Sequence, residues 1–175
     1  MISCDASTLI LLARTELLEK FLDSFHGEVL IPAEVQRECC VKKSLDALLS
    51  EKAIREGRIT VRRFKESRLS LQIRNDFMLG KGEAEAIALA LSAKAKLLGI
   101  DDKRGINACK LLKLQFTTAI DILLRMREKG LIEKQAALLK LAALERYGRY
   151  GSAIVEDARR KLRSEERRVG KECRL

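Results

Sequence analysis

The sequence begins with MISCDASTLI at residues 1–10, and this stretch gives the first indication of the fold class. Residues 1–4 form a short apolar run that is typical of a buried strand, and the run ends at an acidic residue, Asp5. Ser7 and Thr8 are candidate caps for a helix, because apolar residues at helical spacing follow them directly. The stretch therefore predicts a strand, a turn and a helix in that order.

The same alternation recurs along the chain. Short apolar or alternating runs predict strands at 1–4, 28–31, 58–64, 96–100 and 114–117. Helical spacing and helix-terminal residues predict helices at 9–22, 33–40, 44–56, 69–79, 84–91, 103–112 and 119–128. Strands that alternate with helices favour a parallel sheet covered on both faces, joined by right-handed crossovers. The predicted fold class is α/β.

Length and composition set the general class of protein. The 175 residues are 47% hydrophobic and 34% charged, which fits one soluble globular domain with a short appendage. No apolar run approaches the roughly 20 residues that cross a bilayer, so we expect no membrane helix. The first residues lack a basic leader, and Asp5 lies where a signal peptide would be apolar. We therefore expect a cytoplasmic protein.

The numbers of cysteines and histidines and the net charge limit the kinds of site that the protein can have. Five cysteines without CxxC spacing and a single histidine, His26, support neither a disulfide framework nor a zinc finger. One histidine also excludes catalysis by a pair of imidazoles. The formal net charge of +10 predicts a polyanionic partner, chiefly nucleic acid.

Acidic residues stand where ligands bind in such a sheet, beyond the carboxyl ends of the strands. Asp5 follows the first predicted strand, Glu38 lies in the helix after the second, Glu83 opens a helix, and Asp101 and Asp102 follow the fourth strand. Clustered carboxylates without histidine or cysteine suit Mg²⁺ or Mn²⁺. Combined with the basic charge of the chain, they indicate nuclease chemistry.

Plainer interpretations of these acids remain open. Asp5 could simply cap the following helix, and Asp101 with Asp102 could form a helix-capping pair. Two other chemistries of strand-end aspartates fit less well. A haloacid-dehalogenase enzyme would place a second aspartate where Ser7 stands, and a receiver domain would place its acid pair near the first strand.

Five ordered motifs resemble those of a PIN domain, the fold of VapC-type toxin ribonucleases and of related stand-alone prokaryotic proteins. The resemblance covers about residues 1–130, and GExEA is similar to the stand-alone members. The motifs are CDASTLI at 4–10, IPAEVQRE at 31–38, GKGEAEAIALALS at 80–92, GIDDKRGINACKLL at 99–112 and TTAIDILLRMREKGLI at 117–132.

The resemblance implies a three-layer α/β/α fold with about five parallel strands, and it assigns roles to the acids. Asp5, Glu38, Glu83 and Asp102 match the catalytic acids, which would hold Mg²⁺ or Mn²⁺. Asp101 is a further candidate ligand. Ser7 and Glu85 are candidate supporting residues.

The resemblance leaves two details of the site open. Positions 83 and 85 of a helix point about 200° apart, so Glu83 and Glu85 cannot both face one ion, and Glu83 is preferred. Ile100 stands where family members often carry Thr or Ser, which affects fine positioning of the metal ion or of the scissile phosphate.

The implied activity is endonucleolytic cleavage of RNA by metal-activated water. The protein would then be a candidate toxin of a type II toxin–antitoxin pair, with an antitoxin protein and a second copy of the chain as possible partners. The alternative is a non-catalytic PIN-fold module that binds RNA or protein. Lys81, Lys103, Arg104 and Lys110 lie beside the motif acids and are candidate phosphate ligands.

The chain is predicted to have three parts. Residues 1–132 would form the catalytic domain. The helices of residues 133–162 would pack on that domain, form a homodimer face or receive an inhibitory partner's helix. The highly charged residues 163–175 are interpreted as a non-native or disordered tail and are excluded from fold and function.

Overall fold

The protein was described with a computed structural model, which defines residues 1–41, 44–63 and 67–164. These residues contain five strands and ten helices. In chain order the elements are β1 (Ile2–Cys4), α1 (Ala6–Arg14), α2 (Leu18–Ser24), β2 (Val29–Pro32), α3 (Ala33–Cys40), α4 (Leu45–Arg55), β3 (Thr60–Arg62), α5 (Arg68–Phe77), α6 (Lys81–Ser92), β4 (Leu97–Gly99), α7 (Lys103–Leu111), β5 (Phe116–Thr117), α8 (Ala119–Glu128), α9 (Lys134–Tyr147) and α10 (Ser152–Ser164).

The five strands form one parallel sheet in the order β3-β2-β1-β4-β5, which confirms the predicted α/β class. The central strand is β1, whose Ile2 lies opposite Val29 of β2 and Leu97 of β4. The chain builds the sheet outward from β1 to β3 and then returns to the other side of β1 with β4. The switch point of the sheet therefore lies between β1 and β4, which are followed by Asp5 and Asp101.

Small side chains let α6 approach the sheet closely. This helix packs against β1, β2 and β4, and Ala84, Ala86, Ala88 and Ala90 are all buried. The Ser3 hydroxyl of β1 donates a hydrogen bond of 3.1 Å to the Ala86 carbonyl. These small residues thus form a packing surface that holds α6 against the sheet.

The start of the chain differs from its prediction in two respects. The N-cap of α1 is Asp5, not Ser7 or Thr8, because the Asp5 carboxylate accepts the Thr8 backbone N–H. The single helix predicted at 9–22 is two helices, α1 and α2. Glu16 takes a left-handed conformation with φ 54°, and the Leu17 N–H bonds back to the Leu12 carbonyl, which ends α1.

The chain divides into two units, Met1–Ala119 and the residues from Ile120 onward. Within the second unit, α9 and α10 pack on each other. The helix α10 continues to Ser164 and so includes the start of the predicted tail, while residues 165–175 lie outside the described ranges. The predicted boundaries at 132 and 162 stay predictions. In the described residues, no helix combines the length and the apolar character needed to span a bilayer.

Candidate active site

Asp5 is a fully buried carboxylate at the end of the central strand. Its Oδ1 accepts the Thr8 N–H at 2.9 Å, and its Oδ2 accepts the Ser7 hydroxyl at 2.5 Å. Burial raises the pKa of Asp5 to about 7, although the hydrogen bonds from Ser7 and Thr8 oppose that rise. Asp5 therefore has both features expected from the sequence. It caps α1, and it is a buried acid whose charged form is disfavoured.

Thr8 joins the two acids that flank the switch point. Its N–H bonds to Asp5, and its hydroxyl donates to Asp101 Oδ2 at 2.7 Å. Asp101 also accepts the Ala119 N–H at 3.1 Å, and its charge adds to the rise in the Asp5 pKa. Thr8 was not among the site residues predicted from the sequence. The signal available there was its position three residues after a capping aspartate.

The adjacent residues Asp101 and Asp102 have different environments. Asp102 is the N-cap of α7, and its Oδ1 accepts the N–H groups of Arg104 at 2.8 Å and Gly105 at 3.1 Å. The capping interpretation thus holds for Asp102, while Asp101 bonds to Thr8. The described hydrogen bonds leave Asp102 Oδ2 without a donor.

Glu83 lies beside Asp102 at the start of α6. Its Oε2 accepts the Gly80 N–H at 3.0 Å, so it stabilises the first turn of the helix that carries it. Partial burial raises the pKa of Glu83, the hydrogen bond from Gly80 lowers it, and the charge of Asp102 raises it further. The two carboxylates therefore interact although they come from different segments.

Glu38 is the candidate acid on α3, and its carboxylate lies near Glu83. Burial raises the pKa of Glu38, the charges of Glu34 and Glu83 raise it further, and the nearby backbone of Gly82 lowers it. A Cβ added to Gly82 would lie 2.6 Å from Glu38 Oε1 and 2.7 Å from Oε2. The Glu38 carboxylate thus occupies the space in which a side chain at position 82 would begin.

Glu85 belongs to an ion network between α3 and α6. Its side chain is only 5% exposed, and the Lys81 ammonium lies 4.0 Å from it and 3.6 Å from Glu34. Arg37 pairs with Glu34, and the charge of Glu85 also acts on it. Glu83 thus interacts with Asp102, whereas Glu85 lies near Lys81. Glu34 and Arg37 were not among the residues predicted from the sequence.

The remaining candidate phosphate ligands differ in their contacts. Arg104 donates from Nη1 to the Met78 carbonyl at 3.1 Å. Lys103 is exposed and makes no hydrogen bond or ion pair with the residues that the structure describes. Lys103 is thus freely available to a ligand, whereas Arg104 and Lys81 already have partners. Lys110, the fourth candidate, is exposed on α7. A phosphate-binding role stays a prediction for all four residues.

Comparison with known protein families identifies the family of this chain. A family model described as a PIN domain matches residues 1–164. The chain belongs to the PIN-domain family. Neither a curated protein nor a solved structure matches the chain. Membership of the PIN-domain family indicates a nuclease-type function, and the family typically uses a divalent metal ion.

The carboxylates of this PIN domain fit Mg²⁺ or Mn²⁺ in donor chemistry. Burial and neighbouring acids raise the pKa values of Asp5, Glu38 and Glu83, so these groups lack the positive charge that a divalent ion would supply. Asp101 and Asp102 would complete the oxygen donors. As the side chains stand, the described residues contain no group of three or more His, Cys, Asp or Glu arranged to hold a metal ion.

Gly82→Ala tests whether Glu38 belongs to this donor set. The new methyl group would push the Glu38 carboxylate away from Gly82, so we expect Mn²⁺ affinity to fall about tenfold. Alanine also favours the helix, by about 0.5–1 kcal/mol, so thermal stability should hold or rise. Calorimetric Mn²⁺ titration and thermal melts measure the two effects.

The double variant Gly82→Ala/Glu38→Gln is the control for this experiment. If the methyl group acts through Glu38, it should change Mn²⁺ affinity little once Glu38 is already glutamine. An equal loss of affinity in both backgrounds would exclude Glu38 as the group affected.

Proposed function

We propose that the protein is a Mg²⁺- or Mn²⁺-dependent endoribonuclease that cleaves RNA phosphodiester bonds. One observation carries the proposal: four chain segments place carboxylates near the carboxyl ends of the strands, around the switch point of the sheet. They are Asp5 after β1, Glu38 on α3, Glu83 on α6, and Asp101 with Asp102 after β4. A divalent ion bound there would supply an activated water and stabilise the leaving oxygen.

The residues of the chain would position these groups. Ser7 and Thr8 hold both oxygens of Asp5, so its carboxylate has a fixed orientation. Asp102 keeps Oδ2 available while Oδ1 caps α7, and Glu83 likewise uses only Oε2 in its cap. Each of these two acids can therefore bind a cation without losing the hydrogen bond that supports its helix.

RNA is the proposed substrate because of the positive charge of the chain and its membership of the PIN-domain family. The net charge of +10 favours a polyanion, and the positive ends of α1 and α7 lie at the acidic edge. Lys103 would meet a phosphate there as an exposed point charge. The second candidate function is a non-catalytic RNA-binding module, which is favoured by the lack of three ligand-competent acids around one point in the described residues.

A cleavage assay with the full chain separates the two functions. The substrate is a mixed-sequence single-stranded RNA, with Mg²⁺, Mn²⁺ or EDTA. We expect cleavage only with a metal ion, and Glu38→Gln should lower the rate at least about tenfold. The matched control Glu51→Gln changes an exposed acid on α4 and should keep the wild-type rate. Metal-independent RNA binding without cleavage would support the binding module instead.

The predicted protein partners belong to the same proposal. An antitoxin protein, a homodimer and a cytoplasmic location stay predictions from the sequence. Light scattering of the 19.7 kDa chain would distinguish monomer from dimer directly.

A further inference from the structure

Arg104 connects the two segments that carry Glu83 and Asp102. Its Nη1 donates to the Met78 carbonyl at 3.1 Å, and its own backbone N–H donates to Asp102 Oδ1 at 2.8 Å. One residue thus bonds to the turn before α6 and to the cap of α7.

The turn reached by Arg104 leads directly to Glu83. Met78 ends α5 in a left-handed conformation, with φ 51° and ψ 47°, and the next N–H, that of Leu79, bonds back to the Arg74 carbonyl. The following N–H, that of Gly80, donates to Glu83 Oε2. The position of the Met78 carbonyl is therefore coupled through three consecutive residues to the position of the Glu83 carboxylate.

We propose that Arg104 is a positioning residue, which fixes the turn before α6 to the start of α7 and so holds Glu83 beside Asp102. This inference rests on the proposed metal-dependent function in one respect, namely that the two acids serve as metal ligands. It differs from the sequence-based expectation that Arg104 binds phosphate, because the guanidinium already has a backbone partner.

Lys103 provides a matched control. It is the neighbouring cation at the same helix start, it is exposed, and it has no hydrogen bond or ion pair with any residue in the described ranges. The charge of Arg104 acts on Glu83, so its removal should by itself favour the binding of a cation there, and removal of the Lys103 charge should act in the same direction or not at all. Loss of positioning acts in the opposite direction, so Arg104→Met and Lys103→Met should differ in sign.

Two measurements on the full-length protein test the proposal. Amide hydrogen exchange of the metal-free protein reports on Leu79 and Gly80, with Ser70 at the other end of α5 as internal reference. Calorimetric titration with Mn²⁺ reports on the acids. For Arg104→Met we expect the two amides to exchange at least about threefold faster, and Mn²⁺ to bind about fivefold more weakly. Lys103→Met should leave exchange unchanged and Mn²⁺ affinity equal or higher.

The outcomes separate this proposal from the proposed function. Exchange at Leu79 and Gly80 that is identical in wild type and Arg104→Met would overturn the positioning role. Equal changes of Mn²⁺ affinity in both variants would also overturn it, since charge alone would then explain them. If wild type binds no Mn²⁺, the proposed function fails and the exchange comparison alone decides the inference. If Arg104→Met does not fold, Arg104→Lys replaces it, and faster exchange at the two amides is again the supporting result.

Discussion

Asp5→Asn is expected to lower metal-dependent RNA cleavage by at least about 100-fold, because under the proposed function it removes one charged oxygen ligand of the metal ion. The fold should survive, since asparagine caps a helix as well as aspartate does and its side-chain oxygen can still accept the Thr8 N–H. Initial cleavage rates in Mn²⁺ measure the effect, and circular dichroism with thermal melts checks the fold.

Asp102→Asn should have a comparable effect for the same reason, since its Oδ1 can keep both hydrogen bonds that cap α7. Asp76→Asn is the matched control, because Asp76 is an exposed aspartate of the same sheet-bearing unit. Wild-type cleavage rates in a folded Asp5→Asn or Asp102→Asn protein would contradict the assignment of these acids.

The second large effect concerns stability without metal. The pKa of Asp5 is about 7 in the folded protein against an ordinary value of 3.8 in the unfolded chain, so the folded state binds the proton more tightly. Between those values the free energy of unfolding of the wild type therefore falls as the pH rises. The asparagine that replaces Asp5 in the Asp5→Asn variant does not titrate. A tenfold change in proton affinity corresponds to about 1.4 kcal/mol. As the pH rises across that range, the free energy of unfolding of the variant should therefore increase relative to that of the wild type, by up to about 4 kcal/mol.

Urea denaturation of both proteins in EDTA, at pH 4 and pH 8, measures this gain. Glu38 and Glu83 titrate in both proteins, so taking the difference between the two unfolding free energies isolates Asp5. Saturating Mn²⁺ should then restore stability to the wild type at pH 8 more than to the variant. A difference between the two proteins that stays constant with pH would show that Asp5 has no raised pKa.

The sheet could be predicted because its strands carry strong local signals. The run before Asp5 and the run before Pro32 are short, apolar and bounded by helix starts, and the structure places β1 and β2 there within one or two residues. The long helix predicted at 9–22 was wrong, because the apolar spacing continues through Glu16 while the backbone does not. A left-handed residue other than glycine gives little local signal.

The sequence places the candidate acids near the strand ends, but it does not show how their side chains are held, and their role as a site stays a prediction. Strand ends bring Asp5 and Asp101 to one edge of a parallel sheet, which sequence order alone implies. The bond from Thr8 to Asp101 joins residues 93 positions apart, and the bond from Arg104 to Met78 joins residues 26 apart. Such bonds follow from tertiary packing, so no local pattern marks them.

Gly82 shows the same limit for a backbone position. The sequence marks it only as part of a glycine pair before a helix, which is a common start signal. Its specific role depends on the Glu38 carboxylate, which lies within 3 Å of where a Cβ would stand and comes from another helix. The proximity of Glu38 to position 82 thus follows from the packing of α3 on α6, which no local pattern marks.

The central claim is that cation binding at the strand-end acids is what enables RNA cleavage. Its most direct test records Mn²⁺ occupancy and RNA cleavage rate in the same samples, over one titration, for wild type and Asp5→Asn. We predict that the cleavage rate of the wild type rises with occupancy at the same midpoint, and that Asp5→Asn loses both. Cleavage at full rate without bound Mn²⁺, or full occupancy of folded wild type without any cleavage, would contradict the account.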